Sequence, residues 1–189
     1  METYKLYVVL TRSTSIVSSM IHYLTKDKYT HVALSFDTSL ESMYSFARKY
    51  RRNPLYGSFI KESIYEGFLS LSETLPGAIV EISVTEEQYK KVKEMINEFE
   101  ENDSLYRYNY MGLLYSYFGK ALPRKHHFFC SEFVYYVLYE SEILDFGCER
   151  SLVAPLDFLD MGFTDESYKV IYEGDLKKKQ PILYGRVSC

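Results

Sequence analysis

The pattern of apolar positions predicts a mixed chain of strands and helices. From Lys5 to Thr11, Leu6, Val8 and Leu10 alternate with Tyr7 and Val9, which predicts a strand. Ser13 to Thr25 carries Ile16, Met20, Tyr23 and Leu24 at helical spacing behind Ser/Thr capping candidates. Thr30–Asp37 is rich in β-branched and aromatic residues and reads as a strand, with Met43–Arg48 as its hairpin partner. From Lys49 to Leu75 the pattern is mixed, and Asn53-Pro54, Gly57, Gly67 and Pro76-Gly77 break it into short pieces. Ala78–Val84 alternates again, with Ile79, Glu81 and Ser83 on one face and Val80, Ile82 and Val84 on the other. Thr85 followed by Gln88 fits a capping box, and Tyr89, Val92, Ile96 and Phe99 form a narrow apolar stripe on the helix behind it. Asn109 is placed to cap a helix over Tyr110–Phe118 that ends near Gly119 and Pro123. In Ser131–Glu140, Phe133 to Leu138 leave almost no polar face, so that helix is expected to be buried on most sides. Pro155 opens a short helix through Asp160, and Tyr168–Glu173 reads as a late strand. Beyond Lys177-Lys178-Lys179, Pro181–Val187 fits an edge strand or a mobile tail. This order predicts an α+β fold.

Composition narrows the class. The 189 residues are 47% apolar and 25% charged, enough apolar material to offset chain entropy, so disorder is excluded as the dominant state. The length suits a single domain over 1–189, with a core of 5–173 and a C-terminal extension, 174–189. No stretch reaches the roughly 18 apolar residues that span a bilayer. The formal charge of −4 argues against a nucleic-acid partner. Three cysteines, Cys130, Cys148 and Cys189, are too few and too unevenly placed for a disulfide scaffold. No basic stretch followed by an apolar one opens the chain, so the expectation is a cytoplasmic protein with free thiols. The 20 Tyr and 12 Phe, with no Trp, are an aromatic surplus that burial of the Ser131–Glu140 helix explains only in part.

Two residues stand out for chemistry. Cys130 lies directly before the buried helix, where the free N–H groups and the helix dipole favour a thiolate, and Arg124, Lys125, His126 and His127 add positive potential. A thiolate there is a well-placed nucleophile; the plainer alternative is a small thiol filling a gap in the core. His31 opens a strand on which Ala33 and Ser35 share its face, small enough to let another element approach the imidazole. The helix behind Cys130 is a candidate for that element. A His beside a thiol serves as general base and then general acid; the alternative is a structural histidine.

The pair resembles the permuted papain-like hydrolases, the circularly permuted NlpC-type superfamily with its YiiX-like and lecithin retinol acyltransferase-like branches. Thr30-His31-Val32-Ala33-Leu34 and Phe128-Phe129-Cys130-Ser131-Glu132-Phe133-Val134 carry the likeness, in the permuted order of His before Cys. The first strand, the Ser-rich segment with Ile16 and Ile21, and Val153-Ala154-Pro155-Leu156-Asp157 agree more loosely, so the likeness spans residues 5 to 160. It implies an antiparallel sheet packed against a buried helix with the Cys at its N-terminus, Cys130 as nucleophile and His31 as base. Related proteins carry a polar residue, often Glu or His, on the strand after the His strand, to orient the imidazole. Aligning Met43–Ala47 with that strand puts Ser45 at this third position, where a hydroxyl supplies no negative charge; Glu41 at the hairpin is a weaker candidate, and Tyr44 points the other way.

The backbone N–H of Cys130 is the natural oxyanion donor, with a phenol from Tyr110 or another tyrosine of the 106–117 cluster as a candidate second one. That cluster reads equally as the wall of a substrate cleft or as a core helix, and a membrane-surface role is disfavoured because the segment is short and carries few basic residues. Arg48, in the basic run Arg48-Lys49-Tyr50-Arg51-Arg52, is a candidate for binding an anionic group, against the alternative of a solvated loop. Adjacent His126 and His127 with Cys130 do not have metal-ligand spacing, and no metal or cofactor is expected. His22 reads as a surface or interface residue, and Cys148 and Cys189 as incidental thiols. The leading expectation is a thiol hydrolase of an amide or ester bond in a peptide, amino-acid amide or lipid ester. A small-ligand-binding module on the same fold is the alternative, motivated by the missing acidic orienter, and an acyltransferase is a further one.

Overall fold

A computed structural model describes residues 3–12, 27–50, 53–160 and 167–179. The predicted helix over Ser13–Thr25, with His22, lies outside them, as do Pro181–Val187 and Cys189. The elements run β1 (Tyr4–Thr11), β2 (His31–Ser35), β3 (Met43–Tyr50), β4 (Asn53–Glu62), α1 (Gly67–Ser70), β5 (Pro76–Val84), α2 (Glu86–Glu101), β6 (Arg107–Tyr108), α3 (Tyr110–Tyr117), β7 (His127–Phe128), α4 (Cys130–Glu140), α5 (Asp157–Asp160) and β8 (Tyr168–Asp175). The fold class is α+β, as expected. Six strands form one antiparallel sheet in the order β4-β3-β2-β1-β5-β8, and β6 and β7 make a short parallel pair.

β1 lies inside the sheet and is buried on both faces, which is why its apolar run is nearly continuous. Leu6, Val8 and Leu10 face one core together with Val32, Leu34, Val80, Ile82 and the helices α2 and α4. Tyr7, Val9, Ala33 and Ile79 face a second, smaller core closed by Leu40, Ile64, Leu69 and Leu176. The capping box at α2 is formed: Gln88 N–H donates to Thr85 Oγ1 at 3.2 Å and Thr85 N–H to Gln88 Oε1 at 3.0 Å. Val92, Met95, Ile96 and Phe99 are its buried stripe. No helix among the described residues is long and apolar enough to cross a membrane.

The largest departure from the sequence pattern is β4. Its ten residues fall in the stretch where Asn53-Pro54 and Gly57 read as breakers. β4 is the sheet's edge, where a proline is tolerated because its missing N–H interrupts no ladder. Gly57 is there for a close approach: a Cβ on it would sit 2.8 Å from Tyr108 Cβ. Gly57→Ala is therefore expected to cost about 1–3 kcal/mol by overpacking, read by urea denaturation, and to displace Tyr108.

The sheet also opens where the chemistry lies. β2 and β3 pair only at Leu34–Tyr44 and Ser35–Met43, so their ladder ends short of His31. Ser45 Oγ donates to the Val32 carbonyl at 2.7 Å in this gap, satisfying a buried acceptor that the ladder does not reach.

Candidate active site

Cys130 is the first residue of α4, with Phe129 in the N-cap position, so it begins the helix rather than preceding it. Phe129 offers no capping side chain. As a first-turn residue, Cys130 has a backbone N–H with no acceptor inside the helix. Burial fits the expectation for α4: every residue from Cys130 to Tyr135, and then Val137 and Leu138, is buried. Its apolar body belongs to the core of Val32, Leu34 and Phe46. The helix thus lies on the Val32–Leu34 face of β2, not on the small-residue face of Ala33 and Ser35 from which an approach was expected. Ser131 Oγ donates to the Val153 carbonyl at 2.6 Å and ties α4 to the following segment. There Ala154 N–H donates to Asp157 Oδ2 at 2.8 Å.

His31, at the opened end of β2, meets residues from two other elements. Its Nε2 bonds Glu62 Oε1 on β4 at 2.6 Å, with the two side chains 13% and 12% exposed, so the pair is shielded but reachable. The Cys130 side chain, at the start of α4, acts on the same ring in the same direction and favours its protonated form. Burial is the largest single influence on His31 and opposes protonation. The Glu62 carboxylate, the thiol hydrogen bond, the Glu62 hydrogen bond and the thiolate charge together outweigh it, and hold the imidazole pKa well above 6.5. The balance of forces on the ring thus favours its protonated form.

Ser45 does not occupy the third position. Its hydroxyl is fully buried and committed to Val32, while the carboxylate on His31 comes from one strand further on. Glu41 is exposed, away from this contact, and the Tyr44 ring stacks with Phe59 at 6.2 Å on the helix face, as strand alternation implies. Glu62 is not singled out by the sequence because β4 itself is masked by Pro54 and Gly57. The run Phe59-Ile60-Lys61-Glu62 does not alternate between apolar and polar residues, so the sequence carries no strand signal that ends on Glu62.

Of the tyrosines in the 106–117 cluster, Tyr108 is the one on which the Cys130 charge acts. It is buried, and its phenol pKa is pushed well above 10, first by burial and then by the Cys130, Tyr110 and Glu132 charges, so it stays a proton donor. Its ring packs 4.5 Å from that of Tyr110. Tyr110 is half-buried; burial raises its pKa and the Arg48 charge partly offsets that. Arg48 in turn lies over the Phe68 ring at 5.1 Å and lines a cleft of about 640 Å³ together with Glu41, Lys61, Glu62 and Glu66. Neither His31 nor Cys130 lines that cleft; it meets them only through Glu62. Arg48 is thus part of a built wall rather than of a solvated loop.

A buried polar cluster holds the base of α4. Glu132, fully buried, accepts from Arg150 Nε at 3.0 Å, from Asn109 Nδ2 at 3.1 Å and from Phe129 N–H at 3.4 Å. The Arg150 guanidinium lies 4.7 Å over Phe128 and also donates to the Arg124 carbonyl at 3.0 Å. Asn109 does two jobs: its Oδ1 accepts from Gly112 N–H to cap α3, and its Nδ2 reaches Glu132. A Cβ at Gly112 would sit 2.2 Å from that Nδ2, so only glycine fits. The network was not expected from the sequence, because its members are 23 and 18 residues from Glu132.

His126 and His127 do not converge. The His126 ring packs against Tyr106, and His127 Nδ1 bonds the Lys125 carbonyl at 2.8 Å. Cys148 is exposed in a turn after Gly147. Comparison with family models, with curated proteins and with solved structures finds no match to this chain.

Proposed function

We propose that the chain is a thiol hydrolase of the permuted papain-like type, acting on an amide or ester with Cys130 as nucleophile. The observation that carries this reading is the 2.6 Å contact of the Glu62 carboxylate with His31, a ring whose protonated form the Cys130 side chain also favours. Glu62 supplies the acidic orienter whose absence motivated a binding-only reading. In the reaction, the Cys130 proton resides on His31 and the thiolate forms an S–C bond to the substrate carbonyl carbon. The oxyanion is met by the Cys130 N–H and by the Tyr108 phenol, which burial keeps protonated. The C–N or C–O bond then breaks as His31 gives its proton to the leaving group. Water attacks the thioester, His31 takes the water's proton, and the acid leaves with the thiol restored.

The test is intact-mass analysis after incubation with p-nitrophenyl acetate and with an aminoacyl-amide probe. A transient acetyl adduct on Cys130, and turnover lost in Cys130→Ala, is the expected result. No adduct and no Cys130-dependent product would leave the fold with a binding role only. An acetyl group carried to an added amine or alcohol in preference to water would mark an acyltransferase. Tyr108→Phe keeps the ring packed on Gly57 and Tyr110 while removing the donor; turnover is expected to fall about 10²-fold with little change in KM, as for loss of one oxyanion donor.

A further inference from the structure

We propose that the outward face of α3 docks the protein onto an anionic lipid surface. An amphipathic helix at a protein surface normally turns its apolar stripe inward. α3 packs Tyr110 and Leu113 against the core and leaves a second apolar face turned outward. Met111, Leu114, Tyr115 and Phe118 recur at the spacing of one helix face, and they are 47%, 50%, 40% and 66% exposed. Gly112 is the helix's only buried residue, so neither a core helix nor a buried cleft wall describes it.

Charge decides what covers this face. From 104 to 131 the chain carries Arg107, Lys120, Arg124 and Lys125 and not one Asp or Glu, although the whole chain has a net charge of −4. All four cations are exposed, and none is in an ion pair among the described residues. A protein partner would need an acidic counter-surface built to match, and lysines are depleted from such interfaces. An anionic membrane needs only the charge, with Tyr and Phe seated at the headgroup level and Leu and Met below it. The basic segment 177–179, near the chain's end, carries the same sign as the patch and is not complementary to it.

The face is also mechanically joined to the candidate site. Asn109 caps α3 and bonds Glu132 of α4, which ties α3 to the helix that begins with Cys130. The docking proposal does not depend on the thiol chemistry.

Co-sedimentation of the full chain with vesicles tests it. With phosphatidylcholine–phosphatidylserine vesicles the wild type is expected to pellet at low salt and to be released at high salt, and to stay in solution with phosphatidylcholine alone. The Leu114→Ser/Phe118→Ser double variant is expected to lose at least about tenfold in vesicle affinity, and Lys120→Glu/Arg124→Glu to lose the phosphatidylserine dependence. The replaced side chains are exposed, so an unchanged thermal melt shows that both variants fold. Binding that persists in both variants, or equal pelleting with neutral vesicles, overturns the proposal. So does a wild type that ignores vesicles but runs as a dimer that Leu114→Ser/Phe118→Ser makes monomeric, which would assign the face to a second copy of the chain.

Discussion

Glu62→Gln is expected to lower Cys130-dependent turnover by about 10²-fold or more, and to move the His31 titration to lower pH. The reason lies in the balance of forces on the ring. Burial opposes the imidazolium more strongly than any other single influence, and the Glu62 charge is the largest force against it. Gln keeps a hydrogen-bonding oxygen at 62 but removes the charge, so burial wins and the imidazole becomes neutral at lower pH. Proton NMR of the His31 ring reads this directly, and iodoacetamide labelling of Cys130 at pH 6.5 is expected to slow alongside it. Stability follows the same linkage. Because the folded pKa of His31 is raised above its ordinary 6.5, the His31–Glu62 pair stabilises the fold fully below pH 6.5, and that contribution is lost as pH rises through the folded value. The wild type should therefore weaken on the alkaline side more than Glu62→Gln does. Ser45→Ala separates the two candidates for the third position: it leaves the Val32 carbonyl unsatisfied, costing about 1 kcal/mol, but does not move the His31 titration. A His31 titration unmoved by Glu62→Gln would remove Glu62 from the mechanism.

The contrast between Ser45 and Glu62 shows how far sequence alone reaches. Local marks single out Cys130 and His31, the apolar helix behind one and the small-residue strand of the other, but leave a core thiol and a structural histidine open; the resemblance of their two motifs to the permuted papain-like hydrolases is what pairs them. Helix caps are local too, so Thr85–Gln88 and Asn109 were read correctly. The third position was not local. An orienter was expected on the strand after β2, and a strand whose Pro54 and Gly57 imitate a turn hid the one that carries Glu62. Gly57 is a glycine for a reason that appears only in three dimensions, the Tyr108 ring lying against it. For the apolar face of α3 the sequence leaves core and cleft open and disfavours a membrane surface, because helical periodicity tells which residues share a face but not which way the face points. The Glu132 network was illegible on the same ground: a carboxylate in an otherwise apolar helix looks like a solvated residue until its partners from distant segments are in place.

That network yields the largest expected effect on stability. Arg150→Met is expected to destabilise the fold by about 3–5 kcal/mol at neutral pH, because it leaves the fully buried Glu132 carboxylate without its cation. Burial already raises the Glu132 pKa, against the opposing pull of the Asn109 hydrogen bond and of Arg150. Removing Arg150 raises it further. A carboxyl whose folded pKa is raised contributes its full stability below its ordinary value of 4.5, and loses it as pH rises through the folded value. The deficit of Arg150→Met relative to wild type should thus be greatest at neutral pH and shrink on acidification, as Glu132 takes up a proton and no longer needs the cation. Urea denaturation of both proteins at pH 7 and pH 4.5 measures it. Glu132→Gln in the Arg150→Met background should recover part of the loss at pH 7, since an amide still accepts from Asn109 and Phe129 but carries no charge to strand. A deficit independent of pH, with no recovery in the double variant, would mean that Arg150 acts by packing over Phe128 and Tyr136 rather than by neutralising Glu132.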